Sequence, residues 1–272
     1  MKYNNIYDLH THSDNSYDGN HSCILVCEGA CANGGKGIAI TDHCDIDAKN
    51  YDLRAFSTNQ FVEVSRAKAA FKGKLEVFHG LELGQGKYNK EKSLEILNSF
   101  NYDFILGSIH NLEDVEDFYY MDYKDITLDE LYKLLDEYYE TVLRLVQWNQ
   151  TDSLAHLTYP LRYITGRAGI MIDLKRYYPI IDEIFETLIR NEKALELNVS
   201  GLYTELHDTL PYPELVKRYR DMGGKYITVG SDSHYYDKVC IGIEKGYDIL
   251  KECGFNQFTV FKNREPILID IE

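Results

Sequence analysis

Apolar, β-branched runs recur along the chain, and several of them stop abruptly at His, Asp or Glu. Those read as strands are Asp8 to His12, Gly37 to His43, Leu75 to Leu83, Phe104 to His110, Ser153 to Leu157, Ala194 to Val199 and Tyr226 to Ser231. Between them lie stretches with helical character: 22–33, 59–72, 90–98, 127–149, 177–191, 213–222 and, after the last strand, 242–253. Gly34-Gly35 and Gly223-Gly224 are read as helix stops, and Thr127 with Glu130 as a capping box. Near-continuous apolar strands alternating with helices predict a parallel sheet covered on both faces. In the tail, Phe258 to Ile271, Pro266 argues against a central strand.

The polar ends of the strands carry the candidate chemistry, because the C-terminal ends of parallel strands are where barrel sites are built. His10 and His12 lie two residues apart and project to one face of an extended strand, with Asp8 on the same face as a candidate partner for one imidazole. Asp232 and His234 repeat that spacing. His43, His110 and His156 sit at or near the ends of other apolar runs. Glu82 ends the run that contains His79, and a carboxylate there can bridge two metals about 3.5–4 Å apart. Taken singly, each His is more often a satisfied core residue. Six strand ends of this kind in one chain point instead to one polynuclear metal centre, whose mixed imidazole and carboxylate donors suit zinc, manganese or iron.

Bulk properties narrow the class. At 272 residues the chain has the length of one α/β barrel, commonly about 250 residues, so a single domain over 1–272 is expected. Hydrophobic content is 44%, and no apolar run reaches the roughly 18 residues of a membrane span. The N-terminal segment lacks the basic-then-apolar build of a signal peptide, so a cytoplasmic location is expected. A net charge of -15 without a basic stripe disfavours nucleic acid as a partner. Cys23, Cys27 and Cys31 recur every four residues and are expected to pack as one helix face rather than form disulfides. The 23 tyrosines are read as strand and helix rim residues. The sequence carries no signal of oligomeric state.

The order HxH, TDH, GxE, SxH, an isolated His, then DxH resembles that of the polymerase-and-histidinol-phosphatase (PHP) family of metal-dependent phosphoesterases, from Tyr7 to His234. Within that family the chain is most similar to the monofunctional histidinol-phosphate phosphatases, through DLHTHSDNSYDG, AHLTYPLRY and LELNVSGL. The resemblance implies a distorted TIM-like barrel of seven βα units with up to three divalent metals, zinc, manganese or iron. It places His10, His12, Glu82 and Asp232 around one metal, Glu82, His110 and His156 around a second, and Asp18, His43 and His234 around a third. Asp18 stands where some relatives have histidine, which hardens that site toward manganese or iron. His79 falls outside the ligand set and is expected to support a ligand or face the substrate.

The implied activity is hydrolysis of L-histidinol phosphate to L-histidinol and phosphate, a step of histidine biosynthesis, by attack of metal-bound hydroxide. Asp232 or His43 is the candidate for handling the leaving group's proton. Arg162, just past His156, is the candidate phosphate grip, its planar fork matching phosphate oxygens. Many relatives carry a basic residue soon after the NxSGL segment, where this chain has Tyr203, so phosphate contacts from that loop are expected to differ. Other readings are a phosphatase of the same family acting on phosphotyrosine or a nucleotide, and a metal-binding module without catalysis.

Overall fold

A computed structural model describes residues 2–48 and 52–272. Eight parallel strands form the main sheet: β1 (Tyr7–Thr11), β2 (Gly37–Ile40), β3 (His43–Asp45), β4 (Glu76–Gly84), β5 (Phe104–Ser108), β6 (Ser153–Leu154), β7 (Ala194–Asn198) and β8 (Ile227–Gly230). Their order is β1-β2-β4-β5-β6-β7-β8, with β3 continuing the β2 position against β4. The barrel closes nearly completely, because the Asp232 N–H donates to the His10 carbonyl at 2.8 Å and the His12 N–H to the Ser233 carbonyl at 2.9 Å. Buried Asp8 braces this seam by accepting from the Ser231 N–H at 2.8 Å and the Cys240 N–H at 2.7 Å. This is the expected seven-fold TIM-like barrel, distorted at one strand. The expected strand 37–43 breaks at Thr41-Asp42, where Asp42 turns aside to accept the Ser13 N–H at 2.6 Å, and the break lets His43 pair in register with Glu82.

Helices α1 (Cys23–Ala32), α2 (Leu53–Ala70), α3 (Lys90–Leu97), α4 (Leu128–Trp148), α5 (Tyr178–Arg190), α6 (Pro213–Asp221) and α7 (Ile243–Glu252) fall close to the predicted stretches. The capping box of α4 forms as read, with Thr127 and Glu130 exchanging hydrogen bonds. Helix α2 begins six residues before its predicted start, since the Asp52 carboxylate caps the Arg54 and Ala55 N–H groups ahead of a run of Ser, Thr and Asn that reads as a loop. All six cysteines are free; Cys23 and Cys27 are buried as expected, but Cys31, in the last turn of α1, is exposed.

The tail is a hairpin, β9 (Gln257–Lys262) and β10 (Glu265–Asp270), turned through Asn263 and Arg264, both at positive φ. Pro266 lies on the outer strand of this two-stranded ribbon. The hairpin packs across the N-terminal ends of the barrel strands: the Asn263 N–H donates to Asp103 just before β5, and the Thr259 hydroxyl accepts from Ile227 at the start of β8. Arg264 clamps fully buried Asp152 through Nε at 2.9 Å and Nη2 at 3.0 Å, with Lys193 at 3.2 Å on the same carboxylate. Breaking a buried pair costs about 3–5 kcal/mol when one charge is orphaned. Lys193 remains here, so Arg264→Met is expected to lower stability by about 2–3 kcal/mol, read from urea unfolding, with metal content unchanged. A loss below about 0.5 kcal/mol would mean that Lys193 alone satisfies Asp152.

Candidate metal centre

At the C-terminal mouth of the barrel, six imidazoles and three carboxylates from seven chain segments converge: His10, His12, Asp18, His43, Glu82, His110, His156, Asp232 and His234. Glu82, fully buried on β4, is the hub. Its Oε2 faces His43 Nδ1 at 2.8 Å, His10 Nε2 at 3.3 Å and His12 Nε2 at 3.6 Å, while Oε1 faces His156 Nε2 at 2.9 Å and His110 Nε2 at 3.1 Å. Asp232 Oδ1 lies 3.4 Å from His12 Nε2 and 3.6 Å from His10 Nε2. Nearer the surface, Asp18 reaches His234 Nε2 at 3.3 Å and His43 Nε2 at 3.7 Å. The three groups named from sequence are thus adjacent in space, with Glu82 between the first two. His43 belongs to two neighbourhoods, since its Nδ1 faces Glu82 and its Nε2 faces Asp18 and His234.

The backbone contributes to this convergence. His156 (φ 25°) and Asp232 (φ 54°) adopt positive φ, an uncommon state for non-glycine residues that concentrates at functional sites. Gly230, at the end of β8, leaves room for the two flanking strands, because a Cβ there would collide with His10 Cβ on β1 and approach Glu196 Oε1 on β7 to 2.7 Å.

A further ring of residues orients the imidazoles. His10 Nδ1 meets Glu196 Oε1 at 2.7 Å, His12 Nδ1 meets Ser16 Oγ at 3.1 Å, and His110 Nδ1 meets Asp45 Oδ1 at 3.3 Å. Each leaves Nε2 pointing into the cluster, the arrangement by which an outer acceptor sets the tautomer of a metal-binding histidine. Glu196 also accepts the His156 N–H at 2.8 Å and thereby joins two strand ends. Asp8, expected to orient an imidazole, bonds Ser231 and Cys240 instead and leaves that task to Glu196. The alternation Leu195, Glu196, Leu197, Asn198 on β7 was the available signal for Glu196, since it sends both polar residues to the barrel interior.

His79 is not part of the centre. One position out of phase with Glu82 on β4, it points outward under α2, where Nε2 bonds Gln60 at 2.6 Å and the ring packs on Phe61 and Tyr102. Burial pushes its pKa down to about 4, so it stays neutral. Arg162 does reach the mouth. It opens a single π-helical turn, Arg162–Arg167, and its Nη2 donates to Ser200 Oγ at 2.5 Å and Asp232 Oδ2 at 3.1 Å. Its Nε, buried, has no protein acceptor.

The buried nitrogens of His10 and His12 (Nε2) and His43 (Nδ1), together with Glu82 Oε2, lack hydrogen-bond partners, although they face one another. Lone pairs converging in this way fit divalent cations rather than a hydrogen-bonded core. Charge agrees. Burial would raise the Glu82 carboxyl, but the imidazoles of His43, His10 and His110 hold it well below its usual range. Burial likewise opposes protonation of His10, His43 and His110, yet neighbouring carboxylates outweigh it and hold all three well above the usual imidazole value. Burial keeps His12 and His156 low. At neutral pH the metal-free cluster therefore carries protons that ligation must displace. Zinc uptake is expected to release protons and to tighten as pH rises; calorimetry in buffers of different ionisation heat measures this, and a buffer-independent heat would contradict it.

Above the cluster lies a cavity of about 870 Å³, lined by Asp18, His43, His110, His156, Arg162, Asp232 and His234 below and by Tyr17, Asp117, Tyr119, Tyr120, Tyr203, Tyr235 and Lys238 at the rim. Tyr203 is exposed there, with Lys245 Nζ 5.0 Å from its ring centre.

A bowl of imidazoles and carboxylates at the C-terminal mouth of a parallel barrel is the build of a metallohydrolase. Residues 8–200 match the PHP domain, and the chain belongs to the polymerase and histidinol phosphatase family. It is 29% identical to the histidinol-phosphatase of Lactococcus lactis subsp. lactis (strain IL1403), over 96% of this chain and 98% of that protein. It is also 29% identical to a probable histidinol-phosphatase of Clostridium acetobutylicum, over 92% and 94%. The crystal structure of the L. lactis histidinol phosphate phosphatase complexed with zinc, L-histidinol and phosphate superposes with a TM-score of 0.81 at 26% identity, covering 98% of this chain and 99% of that one.

Proposed function

We propose that the protein is a histidinol-phosphatase, hydrolysing L-histidinol phosphate to L-histidinol and phosphate at a centre of up to three divalent metals. The observation that carries this reading is the pairing of the nine-residue cluster with a cavity whose rim carries five tyrosines and Asp117. Its relatives carry that name, and the L. lactis structure holds zinc and both products. The substrate's flat, partly cationic imidazole and its amine match tyrosine faces and carboxylates. No helix among the described residues is long and apolar enough to cross a membrane.

The proposed ligand groups are His10, His12, Glu82 and Asp232; Glu82, His110 and His156; and Asp18, His43 and His234. The predominance of imidazole favours zinc, with Asp18 admitting manganese or iron at the outer position. Divalent ions held there supply charge stabilisation for the phosphoryl oxygens and activate water near neutral pH.

The protein's own groups complete the chemistry. Arg162, whose side chain lines the cavity, donates to the phosphoryl oxygens as their charge grows. Burial would raise the Asp232 carboxyl, but His10, His12 and Arg162 hold it well below its usual range, so it stays ionised and, by accepting from Arg162 Nη2 at 3.1 Å, orients the guanidinium toward the phosphate. His43, at the boundary between cluster and cavity, turns Nε2 toward Asp18 and His234 and Nδ1 toward Glu82, and so couples the outer ligand group to the inner ones. Asp117, fixed by the Tyr159 hydroxyl at 3.0 Å and its own loop's Tyr119 N–H at 2.8 Å, faces the leaving group's cationic end.

Phosphate release from a panel of phosphomonoesters tests the assignment. L-histidinol phosphate is expected to exceed phosphotyrosine and nucleotides in kcat/KM, and Asp117→Asn to raise its KM about tenfold, as the loss of one charged hydrogen bond implies, with kcat unchanged. Equal turnover across the panel would contradict the substrate assignment while leaving the phosphatase chemistry standing.

A further inference from the structure

The segment 109–127, between β5 and α4, is a long loop with no helix or strand of its own. Its inner half is anchored in the core, where Phe118 is fully buried with its ring 5.5 Å from Tyr138 and 6.4 Å from Tyr159. Beyond it Tyr123 is also anchored, 4% exposed with its hydroxyl donating to the Phe118 carbonyl at 2.8 Å, but Tyr119 is 52% and Tyr120 62% exposed, and both line the cavity. What meets the outer half from outside is Arg167, the last residue of the π-helical turn that begins with Arg162. Its guanidinium carbon lies 5.0 Å from the Tyr163 ring centre, 5.8 Å from Tyr119 and 5.9 Å from Tyr123, and its Nη2 donates to the Met121 carbonyl at 3.2 Å. One cation thus holds two rings and a carbonyl of the loop against a ring of its own turn.

We infer that Arg167 is a positioning residue that clamps the outer half of loop 109–127 to the Arg162 turn and so holds Tyr119 and Tyr120 over the site for the leaving group. This rests on the substrate reading above, because these loop residues would meet the histidinol half of the ester while Arg162 and the metals meet the phosphate half. The two halves are separable. Weakening the clamp loosens the leaving-group wall and leaves the phosphate wall intact, which distinguishes Arg167 from a residue that merely keeps the protein folded.

Arg167→Met in the zinc-loaded protein is expected to raise both KM for L-histidinol phosphate and the inhibition constant of L-histidinol about tenfold, the combined scale of the cation–π contacts and one charged hydrogen bond. The kcat, the inhibition constant of inorganic phosphate and the zinc content are expected to stay unchanged. Arg167→Lys keeps the charge without the planar fork and is expected to fall between the two. Amide hydrogen exchange over residues 111–126 is expected to quicken in the Met variant. Exchange and KM that both match the unchanged protein would overturn the inference, as would phosphate inhibition or zinc content falling in step with KM. Should the unchanged protein fail to release phosphate from L-histidinol phosphate, the substrate reading falls, and the exchange comparison alone still decides the clamp.

Discussion

Glu82→Gln is expected to lower phosphate release by roughly a thousandfold or more and to leave the protein deficient in bound zinc, because the change strips one charge from the carboxylate that five imidazoles share. The amide is nearly isosteric, so packing on β4 survives and the effect isolates charge and donor type. Glutamine offers one oxygen where the carboxylate offers two, and those two oxygens face different imidazoles: Oε2 toward His10, His12 and His43, Oε1 toward His110 and His156. Were Glu82 to be shared by two metals, an amide in its place would hold one poorly and could not share the second. The magnitude follows from several kcal/mol of charge stabilisation at about 1.4 kcal/mol per factor of ten. Elemental analysis and phosphate release together check it; full zinc occupancy with near-normal turnover would remove Glu82 from the centre.

Arg162→Met is expected to lower kcat/KM by about two to three orders of magnitude, the range observed when a donor to developing charge is removed. Unlike Glu82→Gln, it should leave zinc content intact, since Arg162 is a donor and cannot ligate. Inhibition by inorganic phosphate should weaken in parallel with catalysis, which identifies the lost contact as one to phosphate. Part of the loss comes through Asp232, whose Oδ2 accepts from Arg162 at 3.1 Å and whose low carboxyl pKa owes part of its depression to that guanidinium. Arg162→Lys should recover little, because one ammonium cannot reach Ser200, Asp232 and a phosphoryl oxygen with the same planar fork. Unaltered phosphate inhibition in the Met variant would show that Arg162 serves the leaving group instead.

Much of the barrel was legible because it obeys two local rules, apolar runs at the strands and helical spacing between them. All seven barrel strand positions and all seven helices fall within or beside the stretches so predicted. What the rules missed were side chains acting against local pattern. Asp42 breaks a strand by bonding a Ser13 backbone group far away in sequence, and Asp52 caps a helix through a stretch rich in Ser, Thr and Asn. The hairpin at 257–270 was obscured by Pro266, which a two-stranded ribbon tolerates on its outer strand.

The cluster residues were readable one strand end at a time, because each interrupts an apolar run with a metal-binding side chain. Phase explains the exception: His79 lies three residues from Glu82, and the alternation of a strand sends it to the opposite face. Asp8 shows a different limit, since its partners, Ser231 and Cys240, come from the far end of the chain. Asp45 and Ser16 were invisible for the same reason, since an outer acceptor is defined by the imidazole it meets in space, whereas the β7 alternation gave the face of Glu196 but not its partner. Asp117 lies in a loop of several acids, where sequence gives no reason to prefer it to Glu113, Asp114 or Glu116; the Tyr159 hydroxyl bond and the cavity single it out.

The most direct test of a metal-dependent histidinol-phosphatase is the rate of phosphate release from L-histidinol phosphate, followed as chelator-stripped protein is reloaded with zinc in measured steps. The account predicts no release from the stripped protein, and turnover that emerges only as more than one zinc binds per chain. Release by the metal-free protein, or a fully loaded protein that leaves L-histidinol phosphate intact, would contradict it.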